Sequence, residues 1–193
     1  WETKYVNAVK FSLDSQSIVS VGDKALRLWG EISGDKIDLA NEVEQLALHP
    51  NGRFIATLEN NGKIVLWDAV SKDTVRTFEG ESKHIYFVEN GRLLLGYLGK
   101  ELIIWQTSTG KMLDFVTIGK QDIFKLAIHP DESTIAVCGI NGEVNIYSYR
   151  TGKILSKCAS QNHNFYALEF TNDGRQLIGG TEDGYLIIWN VKT

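Results

Sequence analysis

EVEQLALHPNGRFIATLENNGKIVLWDAVSKDTVRTFEG, residues 42–80, contains four short β-forming runs separated by polar turns. EQLAL alternates, HPNG turns, FIATL runs apolar, ENNG turns again, KIVLW runs apolar to Trp67, and TVRTF closes after a polar SKD. The pair Asn61–Gly62 suits a tight hairpin that needs positive φ, as do Asn141–Gly142 and Asp183–Gly184 further on. Hairpins of this kind build antiparallel sheet.

The same pattern recurs along the chain. ALRLW ends at Trp29, KIVLW at Trp67, ELIIW at Trp105, EVNIY at Tyr147 and YLIIW at Trp189, at intervals of 38, 38, 42 and 42 residues. An apolar residue leads a turn upstream of each: Phe11, Leu48, Phe87, Ile128 and Phe170, placed 18, 19, 18, 19 and 19 residues before the aromatic. Five copies follow. The two prolines, Pro50 and Pro130, both fall in the first turn of a repeat, where a missing N–H does no harm. Inner runs such as LIIW and LIGG are apolar without strict alternation, as expected of sheet covered on both faces. A sheet of about 40 residues cannot bury two faces by itself, so the units must stack, and radial stacking of twisted sheets gives an all-β propeller.

Composition narrows the function classes. Hydrophobic content of 43% and charged content of 23% belong to a folded soluble chain, and a net charge of −4 provides no basic field to gather nucleic acid or an anionic membrane. No apolar run reaches the roughly 18 residues that span a bilayer. Two cysteines, Cys138 and Cys158, are too few for a disulfide framework, and no N-x-[ST] acceptor occurs. The expectation is an intracellular protein, cytoplasmic or nuclear, without membrane insertion or direct nucleic-acid binding. Trp1 in place of an initiating Met suggests a piece of something longer.

The repeats resemble the WD-repeat family over essentially the whole chain. Trp67–Asp68 is the literal Trp-Asp pair, while Trp29, Trp105 and Trp189 are followed by Gly, Gln and Asn. The resemblance implies a structural network joining the Trp, a Ser or Thr, a His, and an Asp six residues before the Trp. Asp23 and Asp183 match that Asp, Asn61 and Asn141 substitute for it, Gly99 loses it, and Thr57 fits the hydroxyl position. The family's Gly-His pair is absent: Glu2, Leu39, Phe78, Gly119 and Gln161 stand where its His belongs, and His163 is two places off. The repeats are degenerate and are expected to be held mainly by apolar packing between sheets. The implied architecture is one WD-repeat propeller segment over residues 1–193, with four-stranded antiparallel blades at 1–41, 42–80, 81–119, 120–160 and 161–193, the last lacking its outer strand. About nineteen strands where five closed blades need twenty would leave an unsealed edge, so the expected picture is part of a larger propeller, seven blades being the family's common size, or an incompletely closed one.

Catalytic and metal chemistry find little support. S-T-G-K at 108–111 fails as a phosphate loop, because Trp105 stands where the first Gly of G-x-x-x-x-G-K-[ST] belongs and Met112 follows Lys111. Similar turns recur as ISGDK and YRTGK, so it is expected to reverse the chain between third and fourth strands. His49 and His129 share an x-H-P turn and read as repeat structure, and His84 and His163 have no partners at zinc-site spacing. No cofactor, metal or catalytic residue is expected, and the chain is not read as an enzyme.

What remains is binding. Tyr5, Phe124, Phe165 and Tyr166 fall at or near the starts of first strands, beside polar groups in EVEQ, ESKH, KQDI and NHNF, on the face that WD-repeat proteins most often use for partners. Aromatic anchors in polar rims are typical of interface hot spots, although such rings can equally pack between blades. With Glu42, Glu44, Lys83, His84 and His163 they form the candidate partner-binding set, and acidic Glu42, Glu44, Glu81 and Asp122 favour a partner of basic or mixed character. The function this implies is a non-enzymatic protein–protein interaction scaffold within a multiprotein assembly. The alternative is a small-molecule or enzymatic site in the central channel.

Overall fold

The computed structural model describes residues 5–12, 16–22, 24–29, 34–39, 41–158 and 163–191, with backbone alone at 34 and 35. Asp23, Glu2 and Gln161, named above for the family network, lie outside the described residues. Among the described residues every regular element is a strand. The first sheet comprises β1 (Ala8–Phe11), β2 (Ile18–Gly22), β3 (Ala25–Trp29) and β4 (Gly34–Asp38). The second comprises β5 (Val43–Leu48), β6 (Phe54–Glu59), β7 (Ile64–Asp68) and β8 (Thr74–Thr77). β9 (His84–Val88), β10 (Leu93–Leu98), β11 (Glu101–Gln106) and β12 (Met112–Thr117) make the third, and β13 (Ile123–Ile128), β14 (Thr134–Gly139), β15 (Val144–Ser148) and β16 (Ile154–Cys158) the fourth. The fifth has three described strands, β17 (Phe165–Phe170), β18 (Gln176–Thr181) and β19 (Leu186–Asn190). Strand order is sequential in every sheet. Neighbouring strands of the first, second, fourth and fifth sheets pair antiparallel.

The hairpins form where the sequence places them. Gly62, Gly142 and Gly184 have φ of 83°, 76° and 87°, which an L side chain adopts only with strain. Asn61 and Asn141, read as substitutes for a network Asp, instead accept from the backbone N–H two residues on (Lys63 and Glu143), closing the turn. The S-T-G-K segment also reverses the chain: the Thr109 and Gly110 amides both donate to the Gln106 carbonyl, so neither is left for a phosphate.

Packing divides the chain into two compact units, 1–96 with 103–114 and 97–102 with 115–193. In the first, Val19, Val21, Leu26, Ile37 and Leu39 of the first repeat meet Val43, Leu46 and Ile55 of the second. A second cluster joins Ala56, Leu58, Ile64, Leu66 and Phe78 to Ile85, Leu94 and Trp105 of the third. In the other unit, Ala136, Cys138, Val144 and Ile146 of the fourth sheet pack on Phe165, Leu168, Phe170 and Leu177 of the fifth. Each Val, Leu, Ile or Phe among them contributes about 1.5–3 kcal/mol by leaving water. Leu39 and Phe78 are buried plugs at the positions where the family has His, and Phe78 meets the Trp105 ring edge-on at 6.3 Å. Apolar contact thus replaces a polar network there.

Burial falls from second strands to fourth. β6, β10 and β14 are almost wholly buried, whereas β8, β12 and β16 are mostly exposed. LIIW at 186–189 departs from the expectation of two covered faces: Leu186 and Ile188 are 75% and 56% exposed. The fourth sheet covers the face of the fifth that carries Ile187 and Trp189, and Leu186 and Ile188 lie on its other face.

Candidate protein-interaction surface

The first strands of three sheets carry the same irregularity. In β5 the register passes from Val43↔Glu59 to Gln45↔Leu58, in β13 from Ile123↔Gly139 to Lys125↔Cys138, and in β17 from Phe165↔Thr181 to Ala167↔Gly180. Glu44, Phe124 and Tyr166 are the extra residues. Such a bulge sets two residues against one and re-aims a side chain away from the ladder. Each follows a buried residue, Val43, Ile123 or Phe165, that anchors it to the core. The bulge therefore alternates one core residue with one displayed residue, and the repeat places it at the same point each time.

In the second unit the displayed residues meet. The Phe124 and Tyr166 rings pack edge to face with centroids 5.9 Å apart, an arrangement worth about 0.5–1.5 kcal/mol beyond area burial. Both remain exposed to solvent, at 37% and 54%. Lys125 lays its ammonium 5.5 Å from the Phe124 ring centre, and the Tyr97 hydroxyl donates to the Phe124 carbonyl and fixes the bulge from beneath. Phe124, Ile140, Asn164, Phe165 and Tyr166 line a cleft of about 250 Å³. Ile140 was missed in the sequence, although an apolar residue within the polar turn C-G-I-N-G was a signal.

In the first unit the residues around the first-strand starts are mostly polar. Glu42, Glu44 and Lys83 are exposed, His84 is half-buried, and Tyr5 is exposed on the segment before β1. The His84 carbonyl accepts from the Ser82 hydroxyl at 2.6 Å. Gln45 bridges β5 to β9, accepting from the Ile85 N–H at 2.8 Å and donating to its carbonyl at 3.3 Å, while Asn7 donates to the Val43 carbonyl at 2.9 Å. These amides tie successive first strands together.

Two members of the sequence set do not belong with the displayed residues. Phe165 has no exposed surface; it is a core residue stacked 5.4 Å from the Trp189 ring, because it occupies the anchoring half of its bulge. His163 is held by its own repeat, with Nδ1 3.1 Å from an Asp183 oxygen and its ring beside Tyr185. A hydrogen bond with Thr181, together with the imidazole, keeps Asp183 below the usual carboxylate range. The two-residue displacement of His163 thus still reaches the Asp.

The remaining polar groups serve structure. Trp67 Nε1 donates to Thr57 at 2.9 Å, and Trp29 Nε1 donates to Ser20 at 2.8 Å, a hydroxyl the sequence reading passed over nine residues before Trp29. Where that position is Gly96, an added Cβ would lie 2.4 Å from Ser82 Oγ and 2.8 Å from the Trp105 ring, and Trp105 donates instead to the Glu79 carbonyl. Asp68 of the Trp-Asp pair caps its turn: Arg53, then the Ser71 and Val70 amides, hold its carboxyl low. His49 and His129 act as clamps. Each accepts at Nδ1 from the backbone N–H two residues on, and His129 Nε2 lies 3.0 Å from the Gly174 carbonyl in the next repeat. The His49 ring likewise reaches Gly91, where a Cβ would come within 2.3 Å of Nε2. Among the described residues no group of three His, Cys, Asp or Glu is placed to hold a metal ion.

Serial antiparallel sheets of about 40 residues, four of them four-stranded, each ending its third strand on an aromatic and packed on a neighbouring sheet within its unit, define a WD-repeat β-propeller protein. Residues 11–91 and 89–171 match the family model described as the anaphase-promoting complex subunit 4 WD40 domain, and the chain belongs to that family of WD40 domains. Among curated proteins it is similar to the guanine nucleotide-binding protein subunit beta of Saccharomyces cerevisiae, at 22% identity across 97% of this chain and 49% of the relative. It is also similar to the meiotic recombination protein rec14 of Schizosaccharomyces pombe (23%, across 76% and 52%) and the nuclear pore complex protein nup43 of Dictyostelium discoideum (25%, across 94% and 37%). The chain spans about half the length of the first two relatives and less of the third.

Proposed function

We propose that this chain is a non-enzymatic interaction module whose first-strand bulges display a docking row for another protein within an intracellular assembly. The observation that carries the proposal is the exposed Phe124–Tyr166 pair, held edge to face over a small cleft by a buried anchor on each strand. Rigid aromatic area in a polar rim is what interface hot spots consist of, and it loses little side-chain entropy on binding. In the first unit the polar residues at the starts of first strands, Tyr5, Glu42, Glu44, Lys83 and His84, suit a partner of mixed charge. Relatives named as a G-protein subunit and a nuclear pore complex protein are in keeping with work inside assemblies. On this reading residues 1–193 form consecutive blades of one larger propeller. Purification of the intact protein with its native partners tests the proposal: Phe124→Ala with Tyr166→Ala should reduce the co-purifying proteins at least about tenfold. Undiminished co-purification rejects the row.

A further inference from the structure

The fourth repeat opens a cleft where the second and third carry a buried side chain. Three substitutions create it. Gly119 stands where Leu39 and Phe78 plug the earlier repeats, Val137 where Thr57 supplies a hydroxyl, and Tyr147 where Trp67 supplies an indole N–H. The resulting cleft is about 290 Å³, near the lower end of small-ligand sites. Its inner wall is Ile118, Val137, Asn145 and Tyr147, all buried; Lys120, Gln121, Asn141, Glu143 and Lys157 are exposed at its mouth.

Asn145 is the telling residue. The register places it opposite Val137, as Val65 stands opposite Thr57 and Ile187 opposite Gly179, so the second and fifth repeats put an apolar side chain there, while the first has Arg27 opposite Ser20. It is only 5% exposed, its Nδ2 donates to Glu143 at 2.9 Å, and its Oδ1 has no hydrogen-bond partner. The orientation is fixed, because a flipped amide would press an oxygen against the carboxylate. An unpaired buried acceptor costs roughly 1–3 kcal/mol, whereas valine there would cost nothing of the kind. Tyr147 Oη sits next to Gly119, 2.9 Å from where a Cβ would stand, so a side chain at 119 would close the cleft. Hydrogen bonding from Asn145, then from Asn141, and after these the charges of Lys157 and Lys120, hold the Glu143 carboxyl below its ordinary range.

We infer that this cleft binds a small zwitterion of amino-acid size bearing an additional amide-type hydrogen-bond donor. The Glu143 carboxylate takes the ligand's ammonium, and Lys120 and Lys157 take its carboxylate. The amide N–H reaches toward Asn145 Oδ1 and Tyr147, and the carbon chain lies against Ile118, Val137 and Ile154. The site borders the bulge cleft at Gly139, but its ligand would touch none of the displayed bulge residues.

L-glutamine is the probe, titrated calorimetrically into the intact protein. Saturable heat with a dissociation constant below about 1 mM is expected. Asn145→Val should abolish that heat while leaving the melting temperature equal or higher, since it restores the residue of the second repeat. Glu143→Gln, at an exposed position that leaves the core intact, should weaken binding at least about tenfold. The inference is overturned by an absence of saturable heat at about 10 mM, which makes the cleft a water-filled void. It is equally overturned by unchanged binding in both variants, or by N-acetyl-glutamine amide binding as tightly as the free amino acid, since the capped compound carries neither charge.

Discussion

The second and fourth sheets are built to one plan and held by different means. Both open on a bulged first strand, turn through His-Pro, clamp a neighbouring turn with that His, and make a tight Asn-Gly hairpin before the aromatic. Inside, the second closes Thr57 onto Trp67 and caps its turn with Asp68, whereas the fourth has Val137, Tyr147 and an Asn145 carbonyl oxygen without a partner. The strands are the same length to within a residue. Backbone turns, inter-sheet apolar contact and the His clamps therefore set this fold, and the side-chain network is a local addition that a repeat can surrender without losing its sheet.

Striking a shared feature should cost most. Gly91→Ala forces a Cβ at φ 81° into the His49 ring and should destabilise by about 3 kcal/mol, whereas Gly52→Ala, at φ 72° with nothing within 4 Å, should cost about 1 kcal/mol. Equal denaturation midpoints for the two would remove the clamp from this account. A feature belonging to one sheet should cost less. Thr57→Val leaves the Trp67 indole N–H unpaired and should lose about 1–2 kcal/mol, and Val137→Thr should lose about 1 kcal/mol because no indole awaits the new hydroxyl. A stabilised Val137→Thr in chemical denaturation would mean that the fourth sheet retains a latent network.

The smallest effect is a pH dependence. Burial lowers the His49 pKa from 6.5, so the unfolded chain takes up its proton first. The stabilisation from neutral His49 is then full above about pH 6.5 and declines as pH falls toward the lower folded value. His49→Gln should flatten that part of the melting-temperature profile between about pH 7 and 5; an unchanged slope would assign it to other groups.

Much of this was legible in the sequence, because turns speak locally. Asn61–Gly62, Asn141–Gly142 and Asp183–Gly184 set the hairpins, the aromatic spacing counted the repeats, and the recurrence of x-H-P marked the histidines as structural. The bulge was not legible: nothing in E-V-E-Q, K-Q-D-I or N-H-N-F says which residue escapes the ladder, since that is fixed by pairing with the next strand. Hence Phe165 and Tyr166 looked alike, although one is core and the other surface. The open cleft was hidden for a similar reason, as Gly119, Val137, Asn145 and Tyr147 converge only once strands pair. Ser20 was overlooked because its hairpin is one residue shorter than that of Thr57, which shifts its count from the Trp.

Those adjacent rings give the most direct test that the bulge separates a stabilising residue from a binding one. Phe165→Ala and Tyr166→Ala, each in the intact protein, should be compared for melting temperature and for recovery of co-purifying proteins. A sharp fall in melting temperature is expected for Phe165→Ala alone. For Tyr166→Ala the expected result is an almost unchanged melting temperature with depleted partners. Equal melting losses in the two variants, or full partner recovery with Tyr166→Ala, would contradict it.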